Sequence, residues 1–219
     1  TFPMGIGATT ALFPLRPTPD SVNEIMNKIK PTILFAVPTI FAAMLVNLRK
    51  ENNTNFENLR ICVSAGEALP SQIGQDWKSI TGVDILDGVG STEMLHIFLS
   101  NKPDDIVYGT SGSAVPGYKL RLVNEKNEEV NVGEIGELLV KGKSSAIGYW
   151  NKLTKSRKTF EGEWTRTGDK YEKLEDGKFI YSGRTDDMFK VSGIWISPFE
   201  VEQSLVSHEI VLELSLIHI

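Results

Sequence analysis

The residues best suited to chemistry lie in residues 87–97, whose sequence is DGVGSTEMLHI. The two glycines of this segment can adopt positive φ at little cost and let a backbone approach a ligand closely. The hydroxyl groups of Ser91 and Thr92 can donate hydrogen bonds to phosphate oxygens, and the carboxylate of Glu93 can bind a Mg²⁺ ion that phosphates also hold. Turns of this composition also occur with a purely structural role, so the segment alone leaves both interpretations open.

The elements before this segment predict where it lies in the fold. Helical patterns at residues 20–30, 38–50 and 70–80 alternate with strand-like runs at 33–37, 60–64 and 83–86. Such alternation predicts a parallel sheet with helices on both faces. Because ligands bind at the carboxyl ends of parallel strands, we expect residues 64–70 and 87–93 to border one site.

The pattern changes beyond about residue 102. Residues 117–142 alternate apolar and polar side chains between turn signals, which predicts antiparallel strands in a β-rich subdomain. Residues 152–158 are basic and helical in composition, which favours a solvated helix face. Residues 179–205 predict a strand, a charged turn, a hairpin and a helix that begins at Pro198.

The composition limits the classes of function. With 41% hydrophobic and 23% charged residues, the 219-residue chain can form a core and is not predicted to be disordered. A net charge of −5 argues against nucleic acid as a partner, but it does not exclude a nucleotide as a ligand. Cys62 is the single cysteine, so a buried inert thiol is expected. The longest apolar run, residues 33–46, is too short to span a bilayer, and a soluble cytoplasmic protein without a membrane partner is expected.

Five motifs follow one another along the chain: SAGEALP at 64–70, GVGSTE at 88–93, GELLVKG at 136–142, TRTGD at 165–169 and GRTDDMFKVSG at 183–193. In this order they resemble the adenylate-forming superfamily, which comprises acyl-CoA synthetases, the adenylation domains of peptide synthetases and luciferases. The local sequence DGVGSTEMLHIFLSN is most similar to benzoate–CoA ligases and their aryl-CoA ligase relatives. The resemblance covers nearly the whole chain.

The resemblance implies a fold and a division into domains. The implied fold class is α/β, with a parallel sheet flanked by helices, then a β-rich subdomain and the start of a small C-terminal α+β lid domain. The implied boundaries are 1–105 for part of the α/β subdomain, 106–185 for the β-rich subdomain and 186–219 for the lid domain. The family's glycine-rich phosphate loop and its C-terminal lysine have no match here. We therefore expect an internal fragment or the product of a truncated open reading frame, which exposes apolar surface and does not form acyl-adenylate at a useful rate by itself.

The implied activity is that of an AMP-forming acid–thiol ligase. In this family ATP, with Mg²⁺, activates an acid to an acyl-adenylate, and the thiol of coenzyme A then displaces AMP. The resemblance points to benzoate or a similar aryl carboxylate as the acid. The alternatives are another aryl or acyclic acid, the loading of a carrier protein and, from a different class, a nucleotide-binding fragment without activity. The sequence does not indicate the oligomeric state.

The resemblance also implies roles for individual residues. Thr92 is expected to contact the α-phosphate, Glu93 to bind Mg²⁺, and Arg184 to contact ribose or phosphate as a bidentate donor. Asp169 is expected to accept both ribose hydroxyls, and Asp186 to act as the hinge of the lid domain. The residues expected to border the adenine are Gly66, Glu67, Ala68, Asp87 and Gly88.

The implied acyl pocket consists of Ala65, Gly90, His96 and Ile97. The small residues at 65 and 90 would leave a flat slot, which Ile97 would line. His96 would position the carboxylate or cap the aromatic ring, and a hydrogen-bonded core histidine is the alternative. The residues expected in the coenzyme A tunnel are Ser192, Gly193 and Trp195.

Overall fold

The structure is a computed structural model, which describes residues 2–14, 16–50, 56–191, 194–206, 208, 210, 211, 214 and 216. The first half contains α1 Phe2–Gly5, α2 Pro19–Ile29, β1 Ile33–Ala36, α3 Pro38–Lys50, β2 Ile61–Ser64, α4 Ser71–Thr81, β3 Ile85–Gly90, β4 Ile97–Ser100 and β5 Ser113–Ala114. The second half contains β6 Lys119–Val123, β7 Ile135–Lys141, α5 Leu153–Thr159, β8 Phe160–Glu161, β9 Trp164–Lys173, β10 Phe179–Arg184, β11 Phe189–Val191, β12 Ile194–Ile196 and α6 Pro198–Val206.

Strands β1 to β5 form one sheet in chain order. The first three strands are parallel, with Leu34 opposite Cys62 and Cys62 opposite Ile85. Strand β4 then pairs antiparallel with both β3 and β5, so the sheet is mixed beyond β3. The predicted α/β fold with a parallel sheet flanked by helices is confirmed, and it carries an antiparallel extension that the sequence pattern did not indicate.

Helices α2, α3 and α4 contribute to the core on one face of this sheet. Met26, Phe41 and Trp77, one from each helix, are buried together with Cys62. Burial raises the pKa of the Cys62 thiol to about 12, so the thiol is protonated and unreactive at neutral pH. The opposite face is incompletely covered by the described residues, since Phe35 is 65% exposed there. Coverage of both faces was expected from the alternation alone, and the described part of the chain does not provide it.

Strand β3 extends further than the sequence predicts. It runs to Gly90 instead of ending at residue 86, so both glycines lie within the strand and the turn begins at Ser91. Neither glycine has positive φ. A Cβ on Gly90 would lie 2.7 Å from the carbonyl oxygen of His96, so glycine is needed here for the close approach of β4. The prediction ended the strand early because glycine usually interrupts strands and the partner strand β4 lies beyond the turn.

The second half forms an antiparallel sheet in the order β10-β9-β7-β6, with β8 paired to β9. The predicted β-rich character of this part of the chain is confirmed. Its core contains Leu138, Tyr171 and Phe179 together with Met94 and Phe98, which come from the first half. The two sheets therefore share a core along β4. The boundaries after residues 105 and 185 stay predictions.

The last helix, α6, packs on the second sheet. The hairpin of β11 and β12 leads into α6, and the ring of Phe199 in α6 lies edge-on to Tyr181 of β10, with centroids 4.9 Å apart. In the described part of the chain, no helix has both the length and the apolar character that a bilayer crossing requires.

Candidate active site

A cleft of about 1320 Å³ lies where the carboxyl ends of β2 and β3 face β9, β10, α5 and α6. The sequence-predicted residues that line it are Gly66, Glu67, Ala68, Gly88, Gly90, Glu93, Asp169, Arg184 and Asp186. The loop after β2 and the segment at the end of β3 border one site, as expected from the parallel pairing of these strands. Residues from all five motifs line the cleft, since Glu137 of GELLVKG does so as well, and Asp186 belongs to the predicted lid.

Asp169 and Arg184 form the charged pair at one side of the cleft. The Nη1 atom of Arg184 donates to Oδ1 of Asp169 over 3.0 Å, and the two residues are direct partners across β9 and β10. Burial raises the pKa of Asp169 above its usual range, although the charge of Arg184 counteracts this effect. Gly168 has a φ of 74°, and a Cβ there would lie 3.1 Å from Nη2 of Arg184, so glycine leaves space for the guanidinium.

Glu93 lies on the turn after β3, at the other side of the cleft. The hydroxyl of Tyr149 donates to its Oε1 atom over 2.5 Å, and the backbone N–H of Ala146 donates to its carbonyl oxygen over 2.7 Å. Partial burial raises the pKa of Glu93, but the hydrogen bond from Tyr149 and the nearby charge of Lys155 contribute to a pKa below the usual range. Glu93 is therefore a carboxylate at neutral pH.

Glu93 and the neighbouring Ser91 offer oxygen atoms of the kind that Mg²⁺ prefers as ligands. Within the described ranges, no three His, Cys, Asp or Glu side chains form a cluster that could hold a metal by themselves. In nucleotide sites Mg²⁺ is commonly bound by one or two carboxylates and by substrate phosphates, with several water ligands retained. Glu93 supplies one carboxylate to the cleft, beside the hydroxyl-bearing Ser91.

Two residues predicted to contact the nucleotide do not line the cleft. Thr92 is exposed on the turn, and its neighbour Ser91 lines the cleft. Asp87 is only 5% exposed and accepts a hydrogen bond from the Ser111 hydroxyl over 3.3 Å, which places it beneath the surface. Burial raises the pKa of Asp87 to about 7. Both roles were implied by the family resemblance, and they stay predictions.

The four residues of the predicted acyl pocket are only partly brought together. Gly90 lines the cleft, whereas Ala65, His96 and Ile97 are not among its lining residues. Ile97 is half-buried, and a Cβ on Gly88 would lie 3.1 Å from its Cδ1 atom, so it packs directly against β3. His96 is exposed, and the alternative of a core histidine is therefore wrong.

The predicted hinge and tunnel residues lie at the end of the described chain. Asp186 is in the turn between β10 and β11 and lines the cleft. Ser192 and Gly193 lie outside the described residues. Trp195 is opposite Lys190 in the β11–β12 hairpin, and its side chain is not part of the description. The roles of these residues stay predictions.

The cleft also contains side chains that the sequence analysis missed. Tyr149, Lys155 and Lys158 line it from α5 and the segment before α5. The two lysines are exposed, as predicted for a solvated helix face, but they face the cleft. Arg166 of the TRTGD motif also lines it and binds Glu137 and Glu161 over 2.6 and 2.9 Å. The sequence signal that could have identified Tyr149 was a tyrosine between the GELLVKG motif and the basic run at residues 152–158.

Comparison with known proteins decides the family. Residues 1–150 match the family described as AMP-binding enzyme. The chain belongs to this family. The adenylate-forming resemblance noted from the five motifs is thereby confirmed.

The similar AMP-binding proteins include aryl-CoA ligases. The chain is 59% identical over 215 residues to a 4-hydroxybenzoate–CoA/benzoate–CoA ligase of Rhodopseudomonas palustris, covering 98% of this chain and 40% of the relative. It is 52% identical over 219 residues to a benzoate–CoA ligase of Thauera aromatica, covering 99% of this chain and 41% of that protein. The crystal structure of the anthranilate CoA ligase AuaEII with anthranoyl-AMP superposes with a TM-score of 0.92 at 47% identity, covering 97% and 41% of the two chains. The chain thus spans about two fifths of the length of these relatives.

Proposed function

We propose that the protein containing this chain is an AMP-forming ligase that activates benzoate or a closely related aryl carboxylate with ATP and transfers the acyl group to coenzyme A. The observation that carries the proposal is that Asp169, Arg184 and Glu93 line one cleft with the loop of residues 66–68. These groups match the ribose, the phosphate and the metal of a single adenylate. The relatives named as benzoate–CoA ligases support the choice of acid and thiol.

The proposed reaction has two steps. First, an oxygen of the aryl carboxylate bonds to the α-phosphorus of ATP, and the bond from that phosphorus to pyrophosphate breaks. Second, the sulfur of coenzyme A bonds to the acyl carbon, AMP leaves and the thiol proton is released. Both steps place negative charge on oxygen, so fixed cationic groups and hydrogen-bond donors provide most of the acceleration. Bound Mg²⁺ would neutralise phosphate charge, with Glu93 as its ligand from this chain.

Different residues of the cleft would contact different parts of the nucleotide. Gly66, Glu67 and Ala68 would border the base, while Asp169 would accept the ribose hydroxyls, its position maintained by Arg184. The turn that carries Thr92 would lie at the phosphates. Gly88 would let the base approach β3, and Asp87 would support it from beneath.

The acid would enter where Gly90 lines the cleft, with Ala65, His96 and Ile97 around it. The proposal further includes Asp186 as the hinge, residues 192–195 at the coenzyme A tunnel and a cytoplasmic location, where ATP and coenzyme A are available.

Nucleotide binding tests the first part of the proposal. Calorimetry with AMP should detect binding, and Asp169→Ala should weaken it about 10- to 100-fold, because hydrogen bonds to a charged group contribute about 1.5–3 kcal/mol. Asp76→Ala is the matched control, since Asp76 also pairs with an arginine, Arg49, but lies outside the cleft lining. If both variants bind AMP as the unaltered protein does, the cleft is not the nucleotide site.

The identity of the acid needs an exchange assay on the longest protein that the gene encodes. Benzoate-dependent exchange of pyrophosphate into ATP, followed by formation of benzoyl-CoA, is the expected result. Faster exchange with 4-hydroxybenzoate, 2-aminobenzoate or an acyclic acid would assign another substrate, and transfer only to a carrier protein would assign an adenylation domain. AMP binding without exchange for any acid would favour the nucleotide-binding module instead.

A further inference from the structure

The turn that carries Glu93 has a backbone conformation that needs outside support. Leu95 has a φ of 70°, and its backbone N–H donates to the carbonyl of Thr92 over 3.3 Å. A bulky residue persists in this left-handed region only where its surroundings fix the conformation. The side chain of Leu95 is 79% exposed and provides little of that support. The neighbouring Met94, fully buried, anchors the turn from one side.

Further support comes from residues 144–149, which follow β7. The hydroxyl of Ser144 donates to the carbonyl oxygen of Met94 over 2.7 Å. The N–H of Ala146 donates to the carbonyl oxygen of Glu93 over 2.7 Å, and the hydroxyl of Tyr149 donates to Oε1 of Glu93 over 2.5 Å. One segment therefore contacts Glu93, the residue expected to bind the metal, at both its backbone and its side chain, and it also contacts the backbone of Met94.

The ring of Tyr149 is itself fixed. Phe160 lies beside it with a centroid separation of 5.4 Å, and Nζ of Lys155 lies 4.7 Å from the centre of the ring. The backbone N–H of Tyr149 donates to the hydroxyl of Ser156 over 2.8 Å. A side chain supported on its ring and its backbone can place its hydroxyl reproducibly, which is what orienting another residue requires.

We propose that Tyr149 is a positioning residue for Glu93: its hydroxyl binds one carboxylate oxygen and thereby leaves the other oriented for a divalent cation that is bound with the nucleotide phosphates. The inference rests on the proposed function, and it adds a role for a residue in the segment just before α5. Hydrogen bonds from neighbouring groups commonly orient metal-binding carboxylates, and their loss lowers metal affinity. Tyr149 acts through Glu93 and does not itself contact the cation.

The test compares the affinity for a non-hydrolysable ATP analogue with saturating Mg²⁺ and with EDTA, measured by calorimetry on the longest protein that the gene encodes. The gain in affinity that Mg²⁺ provides should fall about 10-fold in Tyr149→Phe, while the affinity in EDTA stays unchanged. Unchanged binding in EDTA also shows that the variant is folded. Tyr108→Phe is the matched control, because its hydroxyl donates to the carboxylate of Asp84 over 3.0 Å outside the cleft lining, and it should change neither affinity.

A double substitution separates positioning from a general structural effect. In a Glu93→Gln background, Tyr149→Phe should cause no further loss of the Mg²⁺-dependent gain, because a residue that acts through Glu93 has nothing left to orient. An equal or larger gain in Tyr149→Phe would overturn the inference, as would additive losses in the double variant. If the unaltered protein binds no adenine nucleotide, the proposed function fails and this inference fails with it. Nucleotide binding with an unaltered Mg²⁺ effect in Tyr149→Phe would overturn only the inference.

Discussion

Asp169 and Arg184 are cross-strand partners in β9 and β10, and their side chains meet at 3.0 Å at the edge of the cleft. The register of the two strands shifts between Tyr181 and Gly183, and Gly183 has a φ of 107°. Such a bulge rotates the following side chain relative to the regular pleat. The carboxylate remains mostly buried, whereas the guanidinium is about half-exposed, so a ligand in the cleft can reach both partners.

The first prediction concerns the pH dependence of nucleotide binding. The charge of Arg184 lowers the pKa of Asp169, whereas burial raises it. Replacing Arg184 with Gln should therefore raise the pKa of Asp169 further. A protonated Asp169 accepts hydrogen bonds from ribose hydroxyls less well. On acidification, the Arg184→Gln variant should therefore lose AMP binding at a higher pH than the unaltered protein does. The measurement is the dissociation constant of AMP between about pH 5 and pH 8.

The control for this prediction is Arg49→Gln, which removes the ion pair with Asp76 on the surface. Its pH profile should match that of the unaltered protein. Identical profiles for the Arg184 and Arg49 variants would show that the charge of Arg184 does not set the protonation of Asp169.

A second prediction concerns the buried carboxyl of Asp87. Its pKa rises from 3.8 to about 7 because of burial, so the folded protein binds a proton in this interval that the unfolded chain does not. The free energy of unfolding should therefore fall as the pH rises from about 4 to about 7. Asp87→Asn lacks this dependence. Its free energy of unfolding, relative to that of the unaltered protein, should therefore increase by at most about 4 kcal/mol between acid and neutral pH. Urea unfolding at a series of pH values measures the difference.

Asp176→Asn is the comparison variant for Asp87→Asn, because the carboxyl of Asp176 should affect stability with the opposite pH dependence. Hydrogen bonds from the backbone and side chain of Lys178 lower the pKa of Asp176, so its carboxylate favours folding above its usual pKa and loses that effect in acid. This variant should lose stability at neutral pH. Parallel stability curves for the unaltered protein and Asp87→Asn would contradict the assignment of a raised pKa to Asp87.

A third prediction concerns the close contact of β3 and β4. In Gly90→Ala the new Cβ would lie 2.7 Å from the carbonyl oxygen of His96, a backbone atom that cannot move without displacing β4. The free energy of unfolding should fall by about 1–3 kcal/mol. Gly5→Ala is the control, since a Cβ there meets no atom within 4 Å. A Gly90→Ala variant as stable as the control would mean that β4 can shift at no cost.

The fourth prediction concerns the positively charged lysine side chains of α5 that line the cleft. Lys158 lines the cleft together with Glu93 and Lys155, where the phosphates of a nucleotide are proposed to lie. Lys158→Ala should weaken binding of ATP about 2- to 5-fold, which is typical for an exposed charge pair, and should leave AMP binding nearly unchanged. Lys152→Ala removes an equal charge just before α5, outside the cleft lining. Equal effects of the two substitutions would mean that only net charge matters.

Local patterns were sufficient for much of the fold. The alternation of apolar runs and helical spacing predicted β1, α3, β2 and α4 close to their observed bounds. It failed at β3, whose last residues pair with a strand beyond the turn, because a glycine-containing strand end resembles a loop when its partner is not yet known. Thr92, which the family resemblance placed at the α-phosphate, is not among the cleft-lining residues, whereas its neighbour Ser91 is, and its role stays a prediction.

The sequence by itself determined the family motifs, the mixed helix–strand first half, the β-rich second half and the set formed by Glu93, Asp169 and Arg184. Each of these features is encoded in one or more short contiguous segments, whose periodicity and motif order can be recognised without coordinates. Only the tertiary structure decided that Tyr149 binds Glu93, 56 positions earlier in the chain, and that the lysines of α5 face the same cleft. Such contacts depend on how two sheets pack along β4 and on the register of each strand, and neither is specified by neighbouring residues in the sequence.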